Sequence, residues 1–196
     1  LSRGLGDVYK RQPLDASLGI RINALPGFSI GLSGGYEICK KALFLLPEDL
    51  DGKFTGVSRF WGIDANALKA ELDVSYRYGT KLEASAKVGY HRWKTADGGE
   101  TISYNRPQWE GGVNIRYMPV RPFTLEAGYE FAAGREYSNL GKLSDIHLVH
   151  LKASYAFTSW FSLYGLTDNV LNRKYDILYG MPTQGINFMF GVDLKF

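Results

Sequence analysis

The 196-residue sequence contains a single cysteine, Cys39, so no disulfide can form within the chain, and this thiol is expected to be a small passive residue on a strand. No stretch approaches the ~20 consecutive apolar residues that a transmembrane helix needs. The longest apolar run, Ala42 to Leu46, stops at Pro47. A helical span is therefore excluded, whereas a membrane barrel, which crosses with alternating strands, is not. An excess of one charge is also missing. The net charge is only +3, and no basic run or basic-aromatic cluster points to nucleic acid as a partner. Neither an initiating Met nor a signal-peptide pattern opens the chain. It opens instead on LSRGLGDVYKRQ, basic, Gly-rich and without periodicity, which resembles translated read-through of a sequencing adapter. The expectation is that residues 1–12 are a non-native or irregular N-terminal segment and that residues 13–196 form one continuous patterned segment.

Glycine and aromatics are plentiful: 23 Gly, 13 Tyr and 11 Phe. They fall into segments that alternate strictly between apolar and polar, which is the signature of strands with one apolar face. Leu68, Ala70, Leu72, Val74, Tyr76 and Tyr78 alternate with Lys69, Glu71, Asp73, Ser75 and Arg77. Phe123, Leu125, Ala127, Tyr129 and Phe131 alternate with Thr124, Glu126, Gly128 and Glu130. At the end, Ile186, Phe188, Phe190, Val192, Leu194 and Phe196 oppose Asn187, Asp193 and Lys195. Counted along the chain, about nine such strands emerge, most near the ~9–11 residues that a tilted membrane strand requires. The reading is an all-β, antiparallel up-and-down transmembrane β-barrel segment.

Connections and aromatics sort in the same sense. LPG (25–27), GTK (79–81), PVRP (119–122) and TS (158–159) are tight, whereas 40–64, 92–107, 137–145 and 168–184 read as long loops. Short turns on one rim and long loops on the other are the outer-membrane pattern. Phe28, Tyr78, Tyr117, Phe123, Phe157, Phe161 and Phe196 sit beside the short-turn rim, with Trp93 and Trp109 expected near the other, as two interfacial girdles. The polar faces carry charges of both signs, which implies water or a polar plug inside.

The C-terminal region carries a resemblance. LYGLTDNVLNRKYDI (163–177), a loop with MP (181–182) and the final GINFMFGVDLKF look like the last hairpin of TonB-dependent outer-membrane receptors. The family's N-L-F-N/D-x-K-Y box is matched by Asn169, Asn172, Lys174 and Tyr175 and departs at Val170 and Leu171. The resemblance implies roughly the C-terminal two-fifths of a 22-stranded receptor barrel. It also implies energised uptake of a scarce large solute, such as an iron chelate or cobalamin. Implied partners are outer-membrane lipid, the outer-membrane assembly machinery, and the TonB system acting through a plug that nothing in this chain matches. Phe188, Phe190 and Phe196 resemble the signal read by the assembly machinery. Location in the outer membrane, and no cofactor, follow from the same resemblance.

The residues that could carry other chemistry are poorly placed for it. His150 and Ser154 share a polar face but lie ~13 Å apart along a strand, too far for a nucleophile–base pair, so no enzyme is expected. His147 and His150 point to opposite faces and make a poor metal pair. Glu48, Asp49 and Asp51 could offer oxygen ligands to Ca²⁺, although a solvated turn explains them as well. A small passive outer-membrane channel and a soluble ligand-binding β-barrel are the alternative functions. The soluble form would turn the apolar faces inward.

Overall fold

The computed structural model describes residues 14–51, 53–98, 101–102, 106–136, 141–178 and 180–195. Twelve strands follow one another: β1 (Leu14–Leu25), β2 (Phe28–Leu50), β3 (Lys53–Tyr78), β4 (Leu82–Thr95), β5 (Thr101–Ile102), β6 (Trp109–Val120), β7 (Phe123–Ala133), β8 (Ile146–Ala156), β9 (Phe161–Asp168), β10 (Asp176–Leu178), β11 (Met181–Pro182) and β12 (Asn187–Leu194). One antiparallel sheet runs β1-β2-β3-β4-β6-β7-β8-β9-β12, with β5 added to the end of β4 and β10-β11 as a separate small hairpin. The path has nine strands, as the alternation predicts. Among the described residues no helix is long and apolar enough to cross a membrane.

Every neighbouring pair in this path is consecutive in the path and antiparallel, so the sheet is a meander closed by tight turns at one rim. The turn between β1 and β2 shows how tight. Gly27 has φ 79°, the Arg77 N–H donates to its carbonyl at 2.7 Å, and a Cβ at Gly27 would strike the Arg77 carbonyl oxygen. Only glycine supplies both the backbone conformation and the room.

The apolar faces are not covered. Leu18 and Phe190 are 84% and 83% exposed, and Leu72, Ile115, Leu151, Phe188 and Val192 are exposed with them. A soluble sheet would bury this face. Here it is a continuous apolar band whose only solvent of matching polarity is lipid. At the short-turn rim Tyr155, Phe157, Phe161 and Trp160 form a chain of ring contacts with centroids 4.8, 5.5 and 5.9 Å apart. Toward the other rim Tyr90 and Trp109 meet at 4.7 Å.

The structure departs from the expected loops and from the expected girdle. Residues 40–64, expected as a long loop, are paired strand: Leu43 lies opposite Gly62 and Leu45 opposite Phe60. The alternation fails there because an extra residue is inserted between Cys39 and Ala42, where Lys41 takes φ 52°, and the register shifts again between Pro47 and Asp49. Such bulges let a strand continue while its faces exchange. Residues 92–107 are likewise shorter as a loop, since β4 continues to Thr95 and pairs with β5.

Trp93 also departs from its expected place. It was expected in the lipid-facing girdle with Trp109, but its odd position on β4 puts it on the inner face, where it is 7% exposed. Its ring packs at 5.8 Å, edge to face, on Phe44, and Ala65, Ala67 and Ile102 complete a small core on that side. Trp109, 47% exposed beside Tyr90, keeps its girdle place.

Candidate functional site

The inner face of the sheet carries a lattice of ion pairs. Arg77 meets Glu83 at 3.0 Å, Arg116 reaches Glu83 at 3.9 Å and Glu126 at 3.5 Å, and Lys152 meets Glu126 at 3.9 Å. These residues sit on successive strands β3, β4, β6, β7 and β8, so the signs alternate across five neighbours. Lys152 then lies 5.3 Å above the ring of Tyr164 on β9, which extends the row by a cation–π contact. Higher on the wall, Lys87 pairs with Glu71 at 2.8 Å, and Lys69 bridges Asp15 and Glu37. Each half-exposed pair contributes ~0–1 kcal/mol, so the lattice shapes the wall more than it stabilises it.

Glycines make the lattice possible. Arg21 on β1 contacts both carboxylate oxygens of Asp73 on β3 at 3.0 Å, reaching over Gly31 of the intervening β2. His150 lies over Gly128 in the same way, its ring filling the place of a Cβ. The row borders a trough of about 750 Å³ lined by Ser29, Ser85, Asn114, Arg116, Glu126 and His150. Such a surface offers donors and acceptors of both signs to a polar solute without a net field that selects one sign.

The box residues of the last hairpin do not line this row; they fold the loop above it. Asn169, 5% exposed with φ 51°, donates through Nδ2 to the carbonyls of Arg173 (2.8 Å) and Gln184 (3.1 Å) and accepts the Arg173 N–H at 3.0 Å. Asn172, φ 48°, accepts the Ile186 N–H at 3.0 Å, and a Cβ on Gly185 would meet its Oδ1. Tyr175 pairs through its backbone with Thr183, whereas Lys174 is exposed. Left-handed Asn residues closing their own turn satisfy a segment that would otherwise leave backbone groups unpaired. Tyr175 and Ile177 border a second trough, of about 820 Å³, together with Arg21, Asp73 and Lys87. The loop therefore leans inward over the wall. Burial raises the Tyr175 pKa above the usual phenol value.

Two inner clusters were not anticipated from the sequence. Arg135, 3% exposed, donates through Nη2 to the Ile177 carbonyl at 2.6 Å and through Nη1 to that of Ser144 at 3.5 Å, tying the β7–β8 connection to the last loop. Burial pulls its pKa down while Tyr175, Asp176 and Asp145 oppose the fall. Arg106 stacks over Phe44 at 4.8 Å and Trp93 at 4.6 Å, its pKa likewise lowered by burial. The parity of Trp93 on β4 was the available signal for this second cluster.

The remaining candidates separate. His147 faces outward, its Nδ1 2.8 Å from the Tyr129 hydroxyl, and no hydrogen bond joins His150 to Ser154 among the described residues. Glu48 pairs with Arg59 at 3.4 Å in the β2–β3 hairpin, and among the described residues no three His, Cys, Asp or Glu side chains gather as a metal site. Cys39 donates to Glu37 at 2.9 Å. Phe188 and Phe190 lie on the outer face, the Phe190 ring against Gly165; Phe196 lies outside the described residues, as do residues 1–13.

No family model matches the chain, and no curated protein matches it. Solved structures do. The copper transporter OprC superposes with a TM-score of 0.72 at 15% identity over 95% of this chain and 31% of its own. The fold is that of a stretch of outer-membrane β-barrel wall. The pyoverdine outer-membrane receptor FpvA of Pseudomonas aeruginosa PAO1 gives 0.71 at 17% identity, covering 95% of this chain and 30% of that one. The ferric-catecholate import receptor Fiu of E. coli K12 gives 0.72 at 10%, covering 95% and 28%. The chain spans about three tenths of the length of these relatives.

Proposed function

We propose that residues 13–196 form one segment of the wall of a TonB-dependent outer-membrane uptake receptor, whose cargo is a scarce large solute such as an iron chelate or cobalamin. The observation that carries this reading is the pairing of an uncovered apolar outer face with an ion-paired inner face on a nine-strand meander. Its likeness to a copper transporter, a pyoverdine receptor and a ferric-catecholate import receptor supports the same class. In this reading the segment is not an enzyme. It supplies a polar wall against which a plug and a passing solute exchange hydrogen bonds, while energy arrives through the TonB system acting on that plug. Asn169, Asn172, Lys174 and Tyr175 fix the last loop over the wall, and Phe188, Phe190 and Phe196 present the terminal strand to the assembly machinery.

The test is production of residues 13–196 behind a secretion signal in cells that lack their own iron-chelate and cobalamin receptors. Recovery in the outer-membrane fraction, with the β2–β3 hairpin cut by protease added outside, is expected. Recovery as a soluble periplasmic protein would overturn the membrane reading. Energy-independent leakage of small solutes would make the segment a passive channel instead.

A further inference from the structure

On the inner wall Arg21, Lys69, Arg77, Lys87, Arg116 and Lys152 all have carboxylate partners. On the outer face Arg92, Lys94 and Lys41 have no ion-pair partner among the described residues. Pairing of β3 with β4 is unbroken from Tyr78–Leu82 to Ala65–Thr95, so Arg92 and Lys94 share the face of Val88 and Tyr90. Lys41 joins them from β2, because its Cβ lies against the outward side of Gly62. Asp64, a carboxylate on this face, accepts the backbone N–H of Lys41 at 2.6 Å.

Height decides what these cations meet. Leu82 lies opposite Tyr78 and Tyr117 at the short-turn girdle, and Arg92 is ten residues further along β4. At ~3.3 Å per residue and ~40° of tilt, that is ~25 Å above the lower girdle, the height of the apolar band of such barrels. Arg92 is therefore at the upper edge of the band, beside the Tyr90–Trp109 contact, with Lys94 and Lys41 beyond it. A cation at that level has left hydrocarbon and entered the layer of head groups, where anionic groups attract it.

We infer that Arg92, Lys94 and Lys41 form an outward-facing site for phosphorylated lipid head groups of the surrounding leaflet. The inference rests on the reading that the apolar face meets lipid. Lysine and arginine supply the donors that phosphate oxygens accept, and the Tyr36, Leu68 and Trp109 side chains beside them receive the upper acyl chain. The bulge at Lys41 belongs to this site, since without the extra residue the strand would turn that side chain to the other face.

The experiment uses Trp109 as reporter in a chain carrying Trp61→Phe and Trp160→Phe, refolded into phosphatidylcholine vesicles, where Trp93, buried on the inner face away from lipid, adds a constant background. Trace brominated phosphatidic acid is expected to quench Trp109 several-fold more than trace brominated phosphatidylcholine. Replacing Arg92, Lys94 and Lys41 by Ser should remove the preference, at about fivefold per cation. The variant Arg92→Lys should keep most of it. Inorganic phosphate in the buffer should compete only weakly; if it abolishes the preference at millimolar levels, the site takes free phosphate and the lipid inference fails. Equal quenching by both lipids would overturn the head-group site while leaving the membrane reading intact. Quenching by neither would overturn both.

Discussion

Arg21 and Asp73 stand on strands that are not paired with each other, yet the guanidinium holds both carboxylate oxygens at 3.0 Å because Gly31 of the strand between them has no side chain. A Cβ at that place would meet Asp73 Oδ1 directly. Three strands are thus tied on the inner face by one contact that nearest-neighbour pairing does not provide.

Gly31→Val should sever this contact and crowd the wall, costing ~1–3 kcal/mol in urea unfolding from vesicles. Asp73→Asn should cost no more than ~1 kcal/mol, and its effect should shrink at high salt. Equal losses for the two variants would mean that Gly31 is not needed for the reach of Arg21.

Lipid and water faces differ by one residue on β12. Val192, opposite Leu163, faces outward, and Asp193, opposite Ser162, faces inward. Val192→Arg should therefore cost ~2–4 kcal/mol near mid-membrane, whereas Asp193→Arg should fold nearly as the parent does. Reversed or equal effects on refolding into vesicles would contradict the assigned faces.

The alternation made most of this legible. Faces, strand number and the tight rim follow from a period of two, because a one-residue slip would move every apolar side chain to water. The β2–β3 hairpin escaped because the bulge at Lys41 and the shift at Pro47 break that period while the backbone stays paired. Arg135 escaped for another reason: its partners are carbonyls of Ser144 and Ile177, which no side-chain pattern announces. The box residues were legible as a motif, but their hydrogen bonds to the backbone of 173–186 depend on the path of the loop.

Asn169→Ala removes three of those bonds from a buried site and places alanine at φ 51°. A local cost of ~2–3 kcal/mol is expected, read as faster amide exchange over residues 169–186 with the exchange of β7 and β8 unchanged. Lys174→Ala, at an exposed side chain, should leave both alone. Parallel effects of the two variants would remove the structural role assigned to Asn169.

Trp93 gives the sharpest check on parity, because its inward position depends on unbroken pairing of β4 with β3 and on the bulge that turns Phe44 to meet it. Trp93→Ala should open a cavity beside Phe44, release the stack with Arg106 and cost ~3–5 kcal/mol in the part of the hairpin beyond the membrane. Amides of residues 42–63 should then exchange faster and the hairpin should be cut sooner by added protease, while strands β6 to β9 keep their protection. Trp109→Ala loses only a half-exposed girdle contact and should leave the hairpin intact. If Trp109→Ala loosens the hairpin and Trp93→Ala does not, the two tryptophans have been given each other's faces, and the inward core built on Phe44, Ala65 and Ala67 falls with that assignment.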